Sequence, residues 1–391
     1  MNEHVQGYAE GYYGRLLDWD ERLALLDALA AAGQNVYYYA PKEDARHRLQ
    51  WRTPYDAQWR SSFASFCDQA RSRHISVVAG VAPGLDFNFN DLQGGPDFNL
   101  LVAKCRQLLD DGANHVSLLM DDIDADFHTR SAGITSEGEA HARLANALSE
   151  ALRCAVWVTP RIYANELAEE EPEYLPEFLG RLHSEHRLLY CGSDVVARQA
   201  SIESLADVSN HTSHAQVLWD NLYANDYCPR RLFIGPWTGR DSAASLVLNA
   251  TGLVNTDCLL LDMMASYQTT ASRTTQTDSG NADTAVDTEL LWRNVLERHG
   301  VPSAFFTVAR FFWHPVFNDS CDEGEQTFTQ GMIEAIDECL WRWKSPLSRE
   351  WYPYLFGLKH DLLVYNNSLP RQRILKTQNQ PLASCLLSHL D

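Results

Sequence analysis

Short apolar runs alternate with longer amphipathic segments through roughly the first 270 residues of the chain, and this alternation constrains the fold more than any other feature. Eight runs are predicted as strands: Val5–Tyr13, Asn35–Ala40, Ile75–Val81, His115–Met120, Ala155–Thr159, Arg187–Cys191, Gln216–Asp220 and one near Leu253–Asn255. Eight successive strand–helix units predict an α/β fold, a closed (β/α)8 TIM-type barrel. A doubly wound open sheet is the less favoured alternative, because no Gly-rich phosphate-binding turn follows the first strand.

The segments between these runs have the spacing of helices with one apolar face. In the first of them, Leu23, Leu26 and Leu29 fall on the same side of a helix. The helices predicted in this way are Trp19–Ala32, Ala57–Arg73, Phe98–Asp111, Ser136–Arg153 and Ser201–Asn210. Beyond the strands, three further helices are predicted over Thr288–Arg298, Gly331–Lys344 and Trp351–Leu363.

The stretch Thr269–Asp287 differs in character from the rest of the chain. It is polar, rich in Thr and low in complexity, which is typical of a flexible linker or loop. We therefore predict a catalytic barrel over residues 1–268, a polar linker over 269–287 and a helical C-terminal domain over 288–391. The aromatic residues of that last region are interpreted first as packing against the barrel, with a wall of a binding cleft and a homodimer contact as alternatives.

The composition excludes several classes of function. With 32 basic and 52 acidic residues, the formal net charge of −20 disfavours nucleic acid and anionic lipid as partners, although it also serves plain solubility. No apolar run reaches the roughly 18 residues of a membrane helix. The nine cysteines are scattered, which predicts neither a metal site nor a disulfide framework. We expect a reduced, cytoplasmic protein, although a secreted chain already trimmed of its signal would look the same.

Polar, aromatic and glycine residues follow most of the predicted strands. The clusters are Glu10-Gly-Tyr-Tyr-Gly-Arg15, Ala40-Pro-Lys-Glu-Asp44, Ala82-Pro-Gly-Leu-Asp86, Asp121-Asp-Ile-Asp124, Thr159-Pro-Arg-Ile-Tyr163 and Trp219-Asp-Asn-Leu-Tyr-Ala-Asn-Asp-Tyr227. Lys42 taken alone could be a solvated loop lysine, and aromatics such as Tyr13 or Trp219 could be core residues. Because the carboxyl ends of barrel strands meet on one face, the clusters together predict an active site there.

The adjacent carboxylates Asp121 and Asp122 are the most informative of these residues. A calcium loop beginning at Asp122 fails, because Phe127 and Gly133 stand where Gly and Glu are needed. Another kind of metal site and a helix cap remain as alternatives. Two carboxylates side by side at a buried strand end repel each other, so we expect one of them to have a raised proton affinity, as a general acid requires.

The ordered set of these clusters resembles the O-GlcNAcase-like β-N-acetylglucosaminidases, glycoside hydrolase family 84. The resemblance is carried by Glu10–Arg15, by Tyr39-Ala-Pro-Lys-Glu-Asp44 with His47-Arg48 and Trp51-Arg52, by Ala82–Asp86, by Asp121–Asp124 and by Trp219–Tyr227. Tyr12 stands where the family usually has Phe. The chain has no long stalk and no acetyltransferase-like domain, so the resemblance favours a bacterial orthologue.

The resemblance implies a role for each site residue. Asp121 would bind the N–H of the substrate's 2-acetamido group, and Asp122 would be the general acid and then the base. Tyr163 would contact the acetamido oxygen. The remaining substrate-binding residues would be Tyr13, Trp219 and Asn221 around the pocket, and Gly11, Lys42, Asp226 and Asn255 at the sugar hydroxyls.

The implied reaction is retaining hydrolysis of a terminal β-linked GlcNAc glycoside, in some cases on a glycosylated protein. Ordinary retaining enzymes oppose two carboxylates across the sugar, and neighbouring residues are badly placed for that. A substrate acetamido oxygen acting as nucleophile, through an oxazoline, fits the pair and requires no metal and no cofactor. Two alternatives stay open: the same mechanism with a GalNAc or polysaccharide-end preference, and a non-catalytic GlcNAc-binding module.

Overall fold

The computed structural model describes residues 4–92, 94–124, 127, 131, 134–197, 199–200, 214–240, 245–277, 287–313 and 329–366. Eight parallel strands form a closed barrel in chain order, and β8 pairs with β1. The strands are β1 Gln6–Glu10, β2 Val36–Tyr39, β3 Ser76–Val81, β4 His115–Leu119, β5 Trp157–Thr159, β6 Arg187–Tyr190, β7 Ala215–Asp220 and β8 Leu246–Asn249. The prediction of a (β/α)8 barrel is confirmed.

The interior of the barrel is filled by every second residue of the strands, as the two-residue period of a strand requires. On β2 and just beyond it, Val36, Tyr38 and Ala40 belong to the central apolar cluster. The residues between them face the helices, and Tyr37 packs edge-on against Phe66 with the ring centroids 5.0 Å apart. Because the interior is packed with side chains, functional groups have room only beyond the strand ends.

Helices follow the strands at most positions of the barrel. They are α1 Trp19–Ala31, α2 Ala57–Ser72, α3 Pro96–Asp110, α4 Glu137–Leu152, α5 Asn165–Ala168 and α6 Tyr174–Arg181. A capping box begins α1: the carboxylate of Asp18 accepts from the Glu21 N–H, and the Glu21 carboxylate accepts from the Asp18 N–H. Such a cap contributes about 1 kcal/mol to helix stability. The predicted helix Ser201–Asn210 lies outside the described residues.

The chain divides into two compact units. The first contains Met1–Asn221 and Gly239–Asn249 and includes the closed barrel; the second contains Leu222–Thr238 and Ala250–Asp391. The second unit carries α7 Val254–Thr277, α8 Thr288–Arg298, α9 Gln330–Trp341 and α10 Pro346–Tyr365.

Within the second unit, aromatic side chains and one carboxylate join the helices. The Trp292 indole N–H donates to the carbonyl of Ile234 at 2.7 Å. Glu350 of α10 accepts from the backbone N–H groups of Asn255 and Thr256, so it caps the start of α7. The described helices include none that is both long enough and apolar enough to cross a membrane.

The predicted eighth strand near Leu253–Asn255 is wrong. The strand is Leu246–Asn249, and Asn255 lies in the first turn of α7, where its side-chain amide donates to Glu350 at 2.8 Å. Both segments are a short apolar run ending in Asn, and pairing with β1 and β7 selects the first of them. The helix α7 also extends through the first half of the predicted linker, to Thr277, and residues 278–286 lie outside the described part of the chain.

Candidate active site

Most of the predicted site residues meet at the carboxyl end of the barrel. They follow the strands directly: Gly11 and Tyr13 after β1, Lys42 after β2, Asp121 and Asp122 after β4, Tyr163 after β5, and Trp219 with Asn221 at the end of β7. Hydrogen bonds and an ion pair connect residues from these five strand ends. One face of the barrel therefore collects side chains that are far apart in sequence.

Asp121 is buried, with 8% of its surface exposed. One of its carboxylate oxygens forms an ion pair with Nζ of Lys42, itself buried. The other oxygen, Oδ1, is buried and has no hydrogen-bond partner among the described residues. A buried acceptor without a donor is unfavourable by about 1–3 kcal/mol. In the described structure, Asp121 Oδ1 therefore keeps an unused capacity to accept an N–H or O–H.

Asp122 is more exposed and is surrounded by donors. The hydroxyl of Tyr163 donates to Oδ1 at 2.7 Å, and the hydroxyl of Tyr13 donates to Oδ2 at 2.8 Å. Nζ of Lys42 lies 3.8 Å from Oδ2. The backbone of Asp122 has a φ of +54°, in the left-handed region that Asp tolerates better than most residues.

The pKa of Asp122, the member of the pair that the resemblance makes the general acid, is lower than its usual value and not raised. Burial acts to raise this pKa, but Lys42, the hydroxyls of Tyr163 and Tyr13, and Arg48 together outweigh it. The sequence pattern contained only the repulsion between two neighbouring aspartates. The donors that reverse the direction come from three other strand ends.

The two phenols next to Asp122 stay protonated. Burial first, and then the negative charge of Asp122, raise the pKa of Tyr163 and of Tyr13. Both hydroxyls are therefore donors to the carboxylate over the whole working range of pH. With both oxygens of Asp122 accepting, the free site favours the ionised form of this residue.

Trp219, which is predicted to form one wall of the pocket, is held from several sides. Its ring packs edge-on against Tyr38 at 5.2 Å, and its indole N–H donates to Oδ1 of Asn221 at 3.0 Å. A Cβ at Gly11 would lie 2.2 Å from Cζ2 of the Trp219 ring, so only glycine permits this approach. Oδ1 of Asn249 accepts the Gly11 N–H at 3.2 Å.

Asn221 is a positioning residue for that wall. Its Oδ1 accepts from Trp219 and from Nδ2 of Asn249, and its own Nδ2 donates to the Val195 carbonyl at 2.8 Å. Nδ2 also points to Sγ of Cys191 at 3.6 Å. These contacts use the hydrogen-bonding capacity of the amide, so in this arrangement Asn221 orients Trp219.

Two residues of this site were not among those predicted. Asn249 ends β8, and it was missed because the eighth strand was predicted near Leu253–Asn255. The apolar run Leu246–Asn249 was the sequence feature that could have indicated it. Arg48 donates from Nη1 to the Tyr13 hydroxyl at 2.9 Å and from Nη2 to the Asp122 carbonyl at 2.5 Å. The sequence feature that could have indicated Arg48 was its position in the polar cluster after β2.

Two predicted site residues, Asp226 and Asn255, lie in the second unit. The carboxylate of Asp226 accepts the backbone N–H of Tyr227 at 2.9 Å. The amide of Asn255 is bound to Glu350, and Asn249 holds the strand-end position that Asn255 was expected to occupy. The prediction that Asn255 follows the eighth strand is therefore corrected to Asn249.

Metal ligands do not gather at the aspartate pair in the described ranges. The one group there with suitable spacing is His183, Glu185 and His186, which precedes β6 at the opposite end of the barrel. Nδ1 of His186 accepts the Val156 N–H, and its Nε2 faces the acceptor Oδ1 of Asn146 at 3.1 Å. Because both ring nitrogens are used, this group has at most two available ligands.

Comparisons with known proteins place this site in a family. A family model described as β-N-acetylglucosaminidase matches residues 6–298. The Protein O-GlcNAcase of Mus musculus is 29% identical over 266 residues, which are 64% of this chain and 28% of that protein. The Protein O-GlcNAcase of Rattus norvegicus gives the same identity and coverage. The chain thus spans little more than a quarter of the length of these curated relatives.

A solved structure shares the fold. A mutant form of the Thermobaculum terrenum O-GlcNAc hydrolase matches with a TM-score of 0.73 and 20% sequence identity, over 99% of this chain and 88% of that one. At this identity the match establishes the architecture alone. The family match extends from the first barrel strand through the aspartate pair and the end of β8, and on this basis the chain belongs to the β-N-acetylglucosaminidase family of glycoside hydrolases.

Proposed function

We propose that this chain is a retaining exo-β-N-acetylglucosaminidase that removes terminal β-linked GlcNAc by substrate-assisted catalysis through an oxazoline intermediate. One observation carries the proposal: a buried carboxylate oxygen of Asp121 has no hydrogen-bond partner among the described residues, directly beside the donor-bound carboxylate of Asp122. The first oxygen can accept an amide N–H, and the second residue can carry a proton. These are the two tasks of the mechanism.

The position of the pair supports the substrate itself as nucleophile. In ordinary retaining glycosidases two carboxylates face each other across the sugar, about 5 Å apart. Asp121 and Asp122 instead leave the same strand end, and the ammonium group of Lys42 reaches both. Two carboxylates on one side of the ring leave the opposite side of the anomeric carbon for the acetamido oxygen.

The proposed reaction has two steps. In the first, the acetamido oxygen bonds to C1 while the bond from C1 to the leaving oxygen breaks. Asp122 gives its proton to that oxygen, and Asp121 holds the amide N–H. In the second, water attacks C1 and gives a proton to Asp122, and the bond from C1 to the oxazoline oxygen breaks. Two inversions at C1 produce net retention, and neither step calls for a metal or an organic cofactor.

Substrate binding has to supply Asp122 with its proton. In the free site, the donors around Asp122 keep its pKa below the usual value. We propose that the Tyr163 hydroxyl turns from Asp122 to the acetamido oxygen when substrate binds, while the sugar excludes water. Both changes disfavour the carboxylate, so the pKa of Asp122 rises and the residue takes up a proton.

We propose β-linked GlcNAc glycosides as the substrate class, including GlcNAc attached to protein side chains. The mouse and rat relatives named Protein O-GlcNAcase support the protein-linked substrate. The Trp219 wall, which requires glycine at position 11, supports a closely fitting pocket for the acetyl group. Lys42 and Tyr13 then lie beside the sugar.

Aryl β-GlcNAc substrates with good and poor leaving groups test the proposal. Wild type should hydrolyse both with retention. In Asp122→Asn, turnover of the poor leaving group should fall by about 10²–10⁴-fold and that of the activated one by much less, because only the poor leaving group needs a proton. A thiazoline that mimics the oxazoline should inhibit wild type.

Asp124→Asn is the matched control, because it removes the same charge from an exposed position two residues further on. It should retain wild-type turnover of both substrates. Normal activity of Asp122→Asn on the poor leaving group would contradict the assigned mechanism. Binding of GlcNAc without any turnover by wild type would favour a binding module, and faster hydrolysis of the aryl GalNAc substrate would assign a different sugar preference.

A further inference from the structure

Arg48 joins two other segments of the active site. It lies in the connection between β2 and α2 and is buried, with 8% of its surface exposed. One nitrogen of its guanidinium donates to the Tyr13 hydroxyl after β1, and another donates to the main-chain carbonyl of Asp122 after β4. Arg48, Tyr13 and Asp122 thus form a closed ring of hydrogen bonds between three strand ends.

The direction of these hydrogen bonds is determined by the donors. A guanidinium can only donate, so the Tyr13 oxygen accepts from Arg48. The single phenolic proton of Tyr13 is then directed to Oδ2 of Asp122, 2.8 Å away. Without Arg48, the phenol could turn and accept from water or from a sugar hydroxyl. Arg48 therefore determines whether Tyr13 acts as a donor to the carboxylate.

The second contact supports an unusual backbone conformation. Asp122 has a φ of +54°, and its carbonyl oxygen accepts from Arg48 at 2.5 Å. Left-handed backbone at a residue other than glycine persists where neighbouring groups hold it. The contact thus fixes the direction in which the Asp122 side chain leaves the main chain.

We propose that Arg48 is the positioning residue of this active site: it fixes the place of the Asp122 carboxylate and directs the Tyr13 hydroxyl toward it. This inference rests on the proposed function, in which Asp122 is the general acid. Arg48 does not reach the reacting atoms, because both of its donors in the ring are bound to Tyr13 and to the Asp122 carbonyl. It acts through these two residues.

The charged and titratable groups around Asp122 determine the expected effect. They are Lys42, Arg48, Asp121, Tyr13, Tyr163 and the buried thiol of Cys191. Lys42 is paired with Asp121, whereas the charge of Arg48 acts together with the Tyr13 donor on Asp122. Loss of Arg48 removes both influences, so the carboxylate is less stabilised and the pKa of Asp122 rises. Turnover that requires protonated Asp122 should then persist to higher pH.

The test compares Arg48→Met with Arg46→Met. Arg46 lies two residues earlier in the same connection and pairs with the exposed Asp56, so its variant loses the same charge without touching the ring. In Arg48→Met, the alkaline limb of the pH profile of kcat/KM should move to higher pH by about one unit. Turnover of poor leaving groups should fall about 10- to 100-fold, and that of activated ones less. Arg46→Met should match wild type in both respects.

If the alkaline limb does not move and turnover falls equally for both classes of leaving group, Arg48 is only a structural residue and the inference is overturned. If melting curves show that Arg48→Met does not fold, Arg48→Lys replaces it. Lysine keeps the charge but cannot span both partners as the planar fork does. In Arg48→Lys, turnover should still fall more for poor leaving groups than for activated ones. Wild-type turnover of both classes in Arg48→Lys would likewise overturn the inference.

A direct measurement separates this inference from the proposed function. The ¹³C resonance of the Asp122 carboxyl, assigned by comparison with Asp122→Asn, reports its titration without any turnover. The midpoint should lie higher in the folded Arg48 variant than in wild type and in Arg46→Met. An unchanged midpoint contradicts the role of Arg48 even if the enzyme is active. A raised midpoint in an enzyme that hydrolyses no GlcNAc glycoside would contradict only the proposed function.

Discussion

Two buried ion pairs at the carboxyl end of the barrel differ in how completely their carboxylates are used. Glu10, the last residue of β1, accepts from Nε and Nη2 of Arg22 at 2.8 and 2.7 Å and from the Tyr37 hydroxyl at 2.8 Å. Asp121, after β4, is paired with Lys42 through one oxygen, and its other oxygen has no partner in the described structure. Both carboxylates are buried, so burial alone does not distinguish them.

The number of bound carboxylate oxygens distinguishes a carboxylate that only stabilises the fold from one that can also bind a ligand. A carboxylate whose two oxygens are both bound has little left to offer a ligand, and its pair ties α1 to the barrel. A carboxylate with a buried, unbound oxygen makes the free protein less stable and gains a partner only when a ligand arrives. The oxygen of Asp121 that has no partner among the described residues, more than the charge of the residue, is the reason for the proposal that Asp121 binds substrate.

The largest expected effect comes from Asp121→Asn. The amide has nearly the same shape but presents less negative charge, and an NH₂ group, to the substrate N–H. We expect kcat/KM for an aryl β-GlcNAc to fall on the order of 10³-fold, equivalent to about 4 kcal/mol. The melting temperature should fall only modestly, because the buried Lys42 loses one counter-charge but keeps Asp122 at 3.8 Å. Steady-state kinetics and thermal unfolding measure the two quantities. Near-normal kinetics in this variant would show that Asp121 does not bind the substrate as proposed.

The matched change at the other pair, Glu10→Gln, should have the opposite profile. It leaves the buried guanidinium of Arg22 without its counter-charge, so the free energy of unfolding should fall by about 3 kcal/mol. The reacting groups are untouched, and kcat/KM of the folded fraction should stay within roughly tenfold of wild type. Urea unfolding beside kinetics measures both. A stable Glu10→Gln with strongly reduced turnover would mean that this pair, too, serves catalysis.

Gly11→Ala tests the contact that follows β1. The added methyl would lie 2.2 Å from the Trp219 ring, so the ring has to move. Overpacking of this kind lowers stability by about 1–3 kcal/mol, and displacement of the pocket wall should raise KM more than it lowers kcat. Gly180→Ala, where a Cβ would meet nothing within 4 Å, is the control. Unchanged KM in Gly11→Ala would show that Trp219 does not border the substrate.

The smallest effect concerns the proton affinity of Asp122. Tyr163→Phe removes one of the donors that hold the pKa of this carboxyl down, so its ¹³C titration midpoint in the free protein should rise by about one unit or less. Because the folded pKa is lowered, the stabilisation from these donors is present above the unfolded pKa and is lost as pH falls through the folded value. The stability difference between wild type and Tyr163→Phe should therefore shrink below about pH 4. A difference that is constant with pH would contradict this.

The aspartate pair shows how far the sequence alone could lead. An apolar strand followed by two carboxylates, in a chain of alternating strands and helices, already located Asp121 and Asp122 at the end of β4. The neighbouring clusters located Tyr13, Lys42, Tyr163 and Trp219 in the same way. These predictions depended on local patterns and on one rule, that parallel barrel strands end on a common face.

The eighth strand shows what local sequence patterns cannot predict. Leu246–Asn249 and Leu253–Asn255 are both short apolar runs that end in Asn, so no local signal separates them. Closure of the barrel does, because only the first segment pairs with β1 and β7. The choice placed Asn249 beside Gly11 and Asn221 and left Asn255 bound to Glu350.

The sequence by itself determined the class of fold, the face on which the candidate site residues gather and the adjacent carboxylates, because period, apolar runs and strand-end residues are local properties. Only the tertiary structure decided what each carboxylate can do. Among the described residues, Lys42 pairs with one oxygen of Asp121 and the other oxygen has no partner. Lys42, Tyr163, Tyr13 and Arg48 together lower the pKa of Asp122. Proton affinity depends on charges and donors within a few ångströms, and in a barrel these come from strands far apart in the chain.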